Sequence, residues 1–374
     1  MKTITFYSYK GGVGRSQALA NMANRLCEFN KKVCLIDFDL EAPGLPYKFP
    51  DSFHNDSIKK GLVDYIFEFT SAGVLPGGLS DFIFPLDMGE NKSPLFLLPA
   101  GNVGSPEYWK KLSSINWYEL LYENSNGMGF FLDMKDKIRK EIRPDFLLID
   151  SRAGISEMSG ISISLFADEV VIVAVNNKEN LEGARKIIQS ISKEENSLID
   201  FPPKITLLLS GIPFTDSPGG RSKEQYFIEK MKKEFKDVYA DEIIVIHTDR
   251  EPEEFESLKI ENEKEEREIS IAHDYLKLFE RLTQNDLTEA EKTRFGAIKE
   301  ANRLYSLALK KDNPQETIDL LSQAISLNRE NIDFFVSRSK AYIKIKNYDK
   351  AMDDLKHLLS IDENNIEASE LPLP

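Results

Sequence analysis

The segment from Thr3 to Phe29 constrains the fold of this chain more than any other. Residues 3–9, Thr-Ile-Thr-Phe-Tyr-Ser-Tyr, are β-branched and aromatic, which reads as a strand. The run Lys10-Gly11-Gly12-Val13-Gly14-Arg15-Ser16 follows at once. From Gln17 to Phe29 the apolar residues Leu19, Met22, Ala23 and Leu26 recur at helical spacing. A strand that passes through glycine-rich backbone into a helix has few solutions. Glycine lets the chain turn left-handed and lets a ligand approach the main chain. The amides point inward, and the helix start adds partial positive charge, so the turn is an anion cradle.

The pattern continues as an alternation. Lys32–Phe38 is almost wholly apolar, as suits a parallel strand covered on both faces. Further strands are expected at Leu95–Leu98, Phe146–Ile149, Glu169–Val175, Ile205–Leu209 and Ile243–Ile246. Helical stretches are expected at Trp109–Leu121, Met134–Ile142, Leu181–Ile191 and Gln225–Phe235. This order predicts a doubly wound α/β domain with a mostly parallel sheet over residues 1–250. Asp51–Met88, rich in Gly, Pro and Ser, reads as an irregular insertion with one short helix near Leu62–Phe69. No strand pattern follows Glu251. Residues 251–290 read as an acidic linker, densest at Glu251–Glu268, and a helix at Ile269–Leu282. Residues 291–374 read as a small all-α, repeat-like tail.

The tail carries a period. Ala308 and Tyr342 stand 34 positions apart, as do Thr317 and Ala351, Leu321 and Leu355, and Ala324 and Leu358. Phe335…Tyr342…Tyr348-Asp349-Lys350-Ala351…Leu355…Leu358 resembles the tetratricopeptide repeat, a paired-helix unit of that length. Thr317 replaces the usual Ala in the first copy, and Arg329 and Glu363 stand where the closing proline is usual. Two copies are too few for a free-standing array, so they are expected to pack on another part of the chain or on another protein.

Composition excludes several classes. A net charge of -14 argues against nucleic acid held by the overall field. Two cysteines, Cys27 and Cys34, both in apolar periodic segments, read as core residues; their number rules out a disulfide framework and argues against an iron–sulfur role, and a reducing cytoplasm fits. Four scattered histidines lack metal-ligand spacing, and no run of about 18 apolar residues suggests a membrane span.

The loop matches the end of the general P-loop pattern G-x-x-x-x-G-K-[ST], with Arg15 in place of lysine. Ser16 is placed to offer its hydroxyl to Mg²⁺, and Arg15 to reach phosphate oxygens as a planar fork. Lys10 through Ser16 resembles the deviant Walker A loop of the ParA/MinD ATPases, in a variant form with KGGVGR. The resemblance covers residues 1–250 and implies ATP with Mg²⁺ held by Lys10, Gly11, Gly12, Val13, Gly14, Arg15, Ser16 and Gln17. It implies that Lys10, the signature lysine, reaches the nucleotide of the opposite subunit in an ATP-held homodimer. It implies that Asp39, at the end of Val33–Asp39, positions the attacking water and sits near the metal. It makes Phe146–Asp150 the Walker B strand, with Asp150 contacting Mg²⁺ through water. Arg152 is read either as a γ-phosphate sensor or cross-subunit contact, or as a structural salt bridge. Lys10, Arg15 and Asp39 are the catalytic candidates; Ser16, Asp39 and Asp150 are the metal candidates. The family's adenine-reading Asn is missing from Leu209-Ser210-Gly211-Ile212-Pro213, and His247–Pro252 aligns with its other base loop, so ATP rests on analogy. Asn177-Lys178-Glu179-Asn180 lacks the closing Asp of a guanine-reading motif.

The expected function is an ATP-dependent dimerising switch with slow turnover, acting on a protein partner through the tail, with a bacterial regulatory or defence assembly as one setting. The alternatives are a non-hydrolysing nucleotide-bound scaffold, a DNA-partitioning ATPase, and a P-loop metabolic or electron-transfer enzyme.

Overall fold

The computed structural model describes residues 1–50, 58–89, 92–123, 127–192, 202–213, 243–248 and 271–361, and part of 225–235. The chain divides into two compact units, Met1–Leu258 and Lys259–Pro374.

The first unit is built on one eight-stranded sheet. Its strands are β1 (Lys2–Ser8), β2 (Val33–Asp37), β3 (Phe84–Leu86), β4 (Leu95–Leu98), β5 (Phe146–Asp150), β6 (Glu169–Val175), β7 (Lys204–Pro213) and β8 (Ile243–Thr248). They lie in the order β3-β4-β2-β5-β1-β6-β7-β8. All pairings are parallel except that of β3 with β4. The doubly wound expectation therefore holds. Strand order reverses around β1, so the loops leaving β1, β2 and β5 share one edge of the sheet, where such folds place ligands.

Near-continuous burial explains the strand sequences. Cys34, Ile36 and Phe38 join Leu147 and Ile149 in one apolar cluster, while the alternate residues Val33, Leu35 and Leu148 are equally buried. Helix α1 (Arg15–Glu28) follows β1, α2 (Leu62–Ala72) precedes β3, and α3 (Pro106–Ser114), α4 (Gly127–Lys137) and α5 (Glu157–Ile161) flank β4 and β5. Helix α6 (Lys178–Ile191) follows β6. Phe130 anchors the larger cluster, stacked 4.4 Å from Phe69 and 5.3 Å from Tyr65.

Three expectations change. The insertion at 51–88 contributes an edge strand, β3, as well as a helix; Pro85 sits within it, which only an edge tolerates. The stretch Trp109–Leu121 is not one helix. Helix α3 stops at Ser114, where Ser113 and Ser114 turn their hydroxyls onto the carbonyls of Lys110 and Lys111. Asn116 then starts a separate π-turn at Glu119–Glu123. Helix α4 begins at Gly127, earlier than Met134, and runs on through a π-segment to Ile142. The linker at Glu251–Glu268 lies outside the described residues.

The second unit, as described, is helical: α7 (Ile271–Thr283), α8 (Glu289–Ala308), α9 (Pro314–Leu327), α10 (Ile332–Lys344) and α11 (Tyr348–Ile361). From α8 to α11 each helix packs on the next. Thr288 and Glu291 form a capping box at the start of α8, and Asn313 and Asn331 cap α9 and α10. The positions with a 34-residue period are core positions: Ala308, Tyr342, Leu321, Leu355, Ala324, Leu358 and Ala351 are all buried. Thr317, half-buried where its counterpart Ala351 is fully buried, spends its hydroxyl on the carbonyl of Asn313 at 3.2 Å.

Candidate phosphate-binding site

Residues 9–14 cross from β1 to α1. Gly12 and Gly14 take positive φ angles of 71° and 82°, and a side chain at either would be strained although it would meet nothing. Gly14 is the N-cap residue of α1 and makes no side-chain cap. The loop is pinned from three sides. Ser210 of β7 donates its hydroxyl to the Val13 carbonyl at 2.5 Å, Ala18 donates to the Gly14 carbonyl at 2.9 Å, and Gly154 donates to the Ser8 carbonyl at 3.0 Å.

A charge cluster lies at the start of α1. Arg15 donates from Nε to Asp150 Oδ1 at 2.5 Å, from Nη2 to Asp39 Oδ2 at 2.9 Å, and from Nη1 to the Ser8 hydroxyl at 3.2 Å. Ser16 donates to the other oxygen of Asp150, also at 2.5 Å. One planar guanidinium thus joins the ends of β1, β2 and β5. Burial works against its charge, but the carboxylates of Asp150 and Asp39 outweigh that and hold the guanidinium protonated. Asp150 is 1% exposed; burial pushes its carboxyl up, and Arg15 and the Ser16 hydroxyl pull it back.

Sequence reasoning passed over Asp37. It is fully buried and accepts the amides of Asp39, Gly44 and Leu45, each at 3.2 Å. Burial and the nearby Asp150 push its carboxyl up to about 8, against those donors. Asp37 therefore shapes the loop that presents Asp39. The available signal was the Asp-x-Asp spacing at the strand end, since a short acid there can accept the amides of its own loop.

Arg152 grips Glu41 with two hydrogen bonds, both 2.6 Å, tying the loop after β5 to the loop after β2. Both side chains are exposed, so the pair is worth about 0–1 kcal/mol. Lys10 pairs with Glu179 on α6 at 2.7 Å, also at the surface. Gln17 lies half-buried on the first turn, its carbonyl accepting from Asn21 at 2.9 Å. Asn177, the start of the guanine-like run, is the N-cap of α6 and accepts from the Asn180 amide at 2.9 Å. Of the base-loop candidates, His247 is buried and residues 249–252 lie outside the described residues.

Tyr9 packs flat enough on α6 that a Cβ at Gly183 would come within 2.1 Å of its ring. Alanine in a helix ordinarily gains about 1 kcal/mol over glycine. Here overpacking reverses the sign, and Gly183→Ala is expected to lower stability by about 1–3 kcal/mol in urea unfolding. A stabilised variant would show that the Tyr9 contact yields freely.

Ser16, Asp39 and Asp150 offer one hydroxyl and two carboxylates, the hard oxygen donors that suit Mg²⁺ beside a phosphate. Among the described residues no group of three or more His, Cys, Asp or Glu could hold a metal unaided. A P-loop needs no such group, because the nucleotide supplies oxygens, so this donor set fits magnesium. Cys27 and Cys34 are buried free thiols pushed up to about 12 by desolvation, which removes them from this chemistry.

No protein-family model and no curated protein matches the chain. Solved structures do match. The MinD cell division protein of Aquifex aeolicus superposes with a TM-score of 0.52 at 19% identity, over 77% of this chain and 99% of that one. The septum site-determining protein MinD of Pyrococcus horikoshii, complexed with Mg-ADP, gives 0.52 at 21% identity, over 78% and 98%. The cell division ATPase MinD of Pyrococcus furiosus gives 0.50 at 20%, over 76% and 98%. The first unit thus has the MinD-like P-loop fold that the ParA/MinD resemblance implies. Among the described residues no helix is long and apolar enough to cross a membrane.

Proposed function

We propose that this chain is an ATP-binding, magnesium-dependent switch that forms a nucleotide-held homodimer and turns over slowly. The observation that carries this reading is the placement of Arg15 and Ser16 at the open start of α1, against Asp150 and Asp39. Lys10 and the loop 10–16 act as a deviant Walker A motif. Main-chain amides of Gly11–Ser16 hold the β- and γ-phosphates, and Arg15 adds two charged donors. Magnesium, once bound, would neutralise developing charge between those phosphates; Ser16, Asp39 and Asp150 would hold it. Asp39 orients the attacking water. The Glu41–Arg152 clamp links the two loops nearest the γ-phosphate, so loss of phosphate is felt by both together. The 34-residue helical pairs act as a tetratricopeptide-like surface for a protein partner. The Mg-ADP found with the Pyrococcus horikoshii neighbour supports the choice of nucleotide.

Phosphate release by the purified chain, with mass-spectrometric identification of any copurifying nucleotide, tests the proposal. ATP bound with turnover supports the switch. ATP bound without turnover favours the scaffold alternative, and no nucleotide binding defeats both. DNA retained on filters at low salt with ATP present would favour the partitioning alternative.

Lys10 carries a further prediction. Its partner Glu179 is exposed, so the ion pair is cheap to break and leaves Lys10 able to reach a second subunit. Lys10→Ala is expected to abolish ATP-dependent dimerisation in light scattering. Dimerisation equal to that of the natural protein would remove the cross-subunit role.

A further inference from the structure

The groups offered for a divalent cation are already engaged. Ser16 gives its proton to Asp150, and the Arg15 guanidinium lies between Asp150 and Asp39, with 8% of its side chain exposed. One fixed positive charge therefore satisfies both carboxylates at once. Nothing here is a loose surface pair: Asp150 is 1% exposed, and the Asp39 side chain only 14%. A lysine in this place would bring a point charge with no fork, and could not present separate N–H groups to two acids along fixed directions.

We propose that Arg15 is an internal plug for the magnesium site: in the nucleotide-free chain its guanidinium takes the cation's place between Asp39 and Asp150. This rests on the nucleotide reading above and deepens it. When a triphosphate enters the loop, Arg15 exchanges the two carboxylates for phosphate oxygens, which frees the acids for the divalent ion. Metal and nucleotide must then arrive together, and the free protein does not collect divalent cations. The lysine-to-arginine change thereby couples metal binding to phosphate binding. No bond is made or broken in the exchange. Charge stays balanced, because the guanidinium leaves two acids as a divalent cation arrives and meets the phosphates in their place.

The test uses the full chain and Mn²⁺ alone, without nucleotide, followed by the loss of the free-ion signal in electron paramagnetic resonance. The natural protein is expected to bind Mn²⁺ weakly, and its melting temperature to be unmoved by the ion. Arg15→Gln removes the charge while leaving an amide that can still donate, and its Mn²⁺ affinity is expected to rise by about tenfold or more, since two acids lose their counter-ion. Arg15→Lys, which keeps the charge, is expected to fall between the two and decides the matter if the glutamine variant does not fold. Equal Mn²⁺ affinity in the natural protein and the variants would overturn the plug, as would no measurable binding in any of them. Triphosphate titration of the natural protein runs in parallel. Failure there removes the nucleotide reading and leaves the Mn²⁺ contrast standing; success there without the contrast removes the plug alone.

Discussion

Asp150→Ala is expected to lower the unfolding free energy of the nucleotide-free protein by about 3–5 kcal/mol, the range for breaking a buried ion pair from one side. The loss has two parts. Arg15 keeps Asp39 at 2.9 Å but loses its 2.5 Å contact, so a buried guanidinium is left half-compensated. The Ser16 hydroxyl also loses its acceptor. One effect runs the other way: removing Asp150 relieves its repulsion with Asp37. That relief is the smaller effect, because three main-chain amides donate to the Asp37 carboxyl and already offset its repulsion with Asp150. The ion-pair loss therefore dominates. For a unit of this size, each kcal/mol corresponds to about 2–4 °C, so a drop in melting temperature on the order of 10 °C is expected. A double-mutant cycle with Arg15→Ala sharpens the test. If the two groups stabilise each other, the pair of changes costs less than the sum of the single ones. Strict additivity, or a shift under about 1 kcal/mol for Asp150→Ala, would mean that the cluster does not hold the sheet edge together.

Much of this arrangement was legible in the sequence, for physical reasons that differ by element. The parallel strands announced themselves because a strand covered on both faces must be apolar at every position, as Val33–Ile36 and Val170–Val173 are. The loop announced itself because glycine is required where φ is positive, as at Gly12 and Gly14. Arg15 and Ser16 meet Asp150, and Arg15 meets Asp39, because β5 lies between β1 and β2 and brings the ends of the three strands together. What stayed hidden depends on contacts between distant segments. Nothing local marks Ser210 as the residue that fixes Val13, 197 positions away. Nothing marks Gly183 as room for the Tyr9 ring, since a glycine inside a helix reads only as a weak helix former. The edge strand β3 was hidden by Pro85, which argues against a strand wherever the neighbour on one side is not known to be missing. Arg15 itself was read as a phosphate ligand; its engagement with two acids in the free chain needed the register of β1, β2 and β5.

That register also bears on the acid proposed to position the attacking water. Three carboxylates crowd the edge. Asp37 is fully buried and spent on three amides, and Asp150 is buried and spent on Arg15 and Ser16. Asp39 alone of the three keeps part of its side chain, 14%, open to solvent. A group that positions an attacking water must reach that water directly, and this partial exposure supports the role proposed for Asp39. Asp39→Asn is the discriminating change. The amide oxygen can still accept from Arg15 Nη2, so the loop geometry is kept and stability changes by about 1 kcal/mol. The basic carboxylate is gone, and phosphate release is expected to fall by about 10²–10⁴-fold. That loss corresponds to about 3–5 kcal/mol of transition-state stabilisation. Single-turnover phosphate release, with nucleotide affinity measured on the same sample, separates chemistry from binding. Turnover within about threefold of the natural protein would show that water is activated elsewhere, and a loss of affinity matching the loss of turnover would make Asp39 a binding group instead.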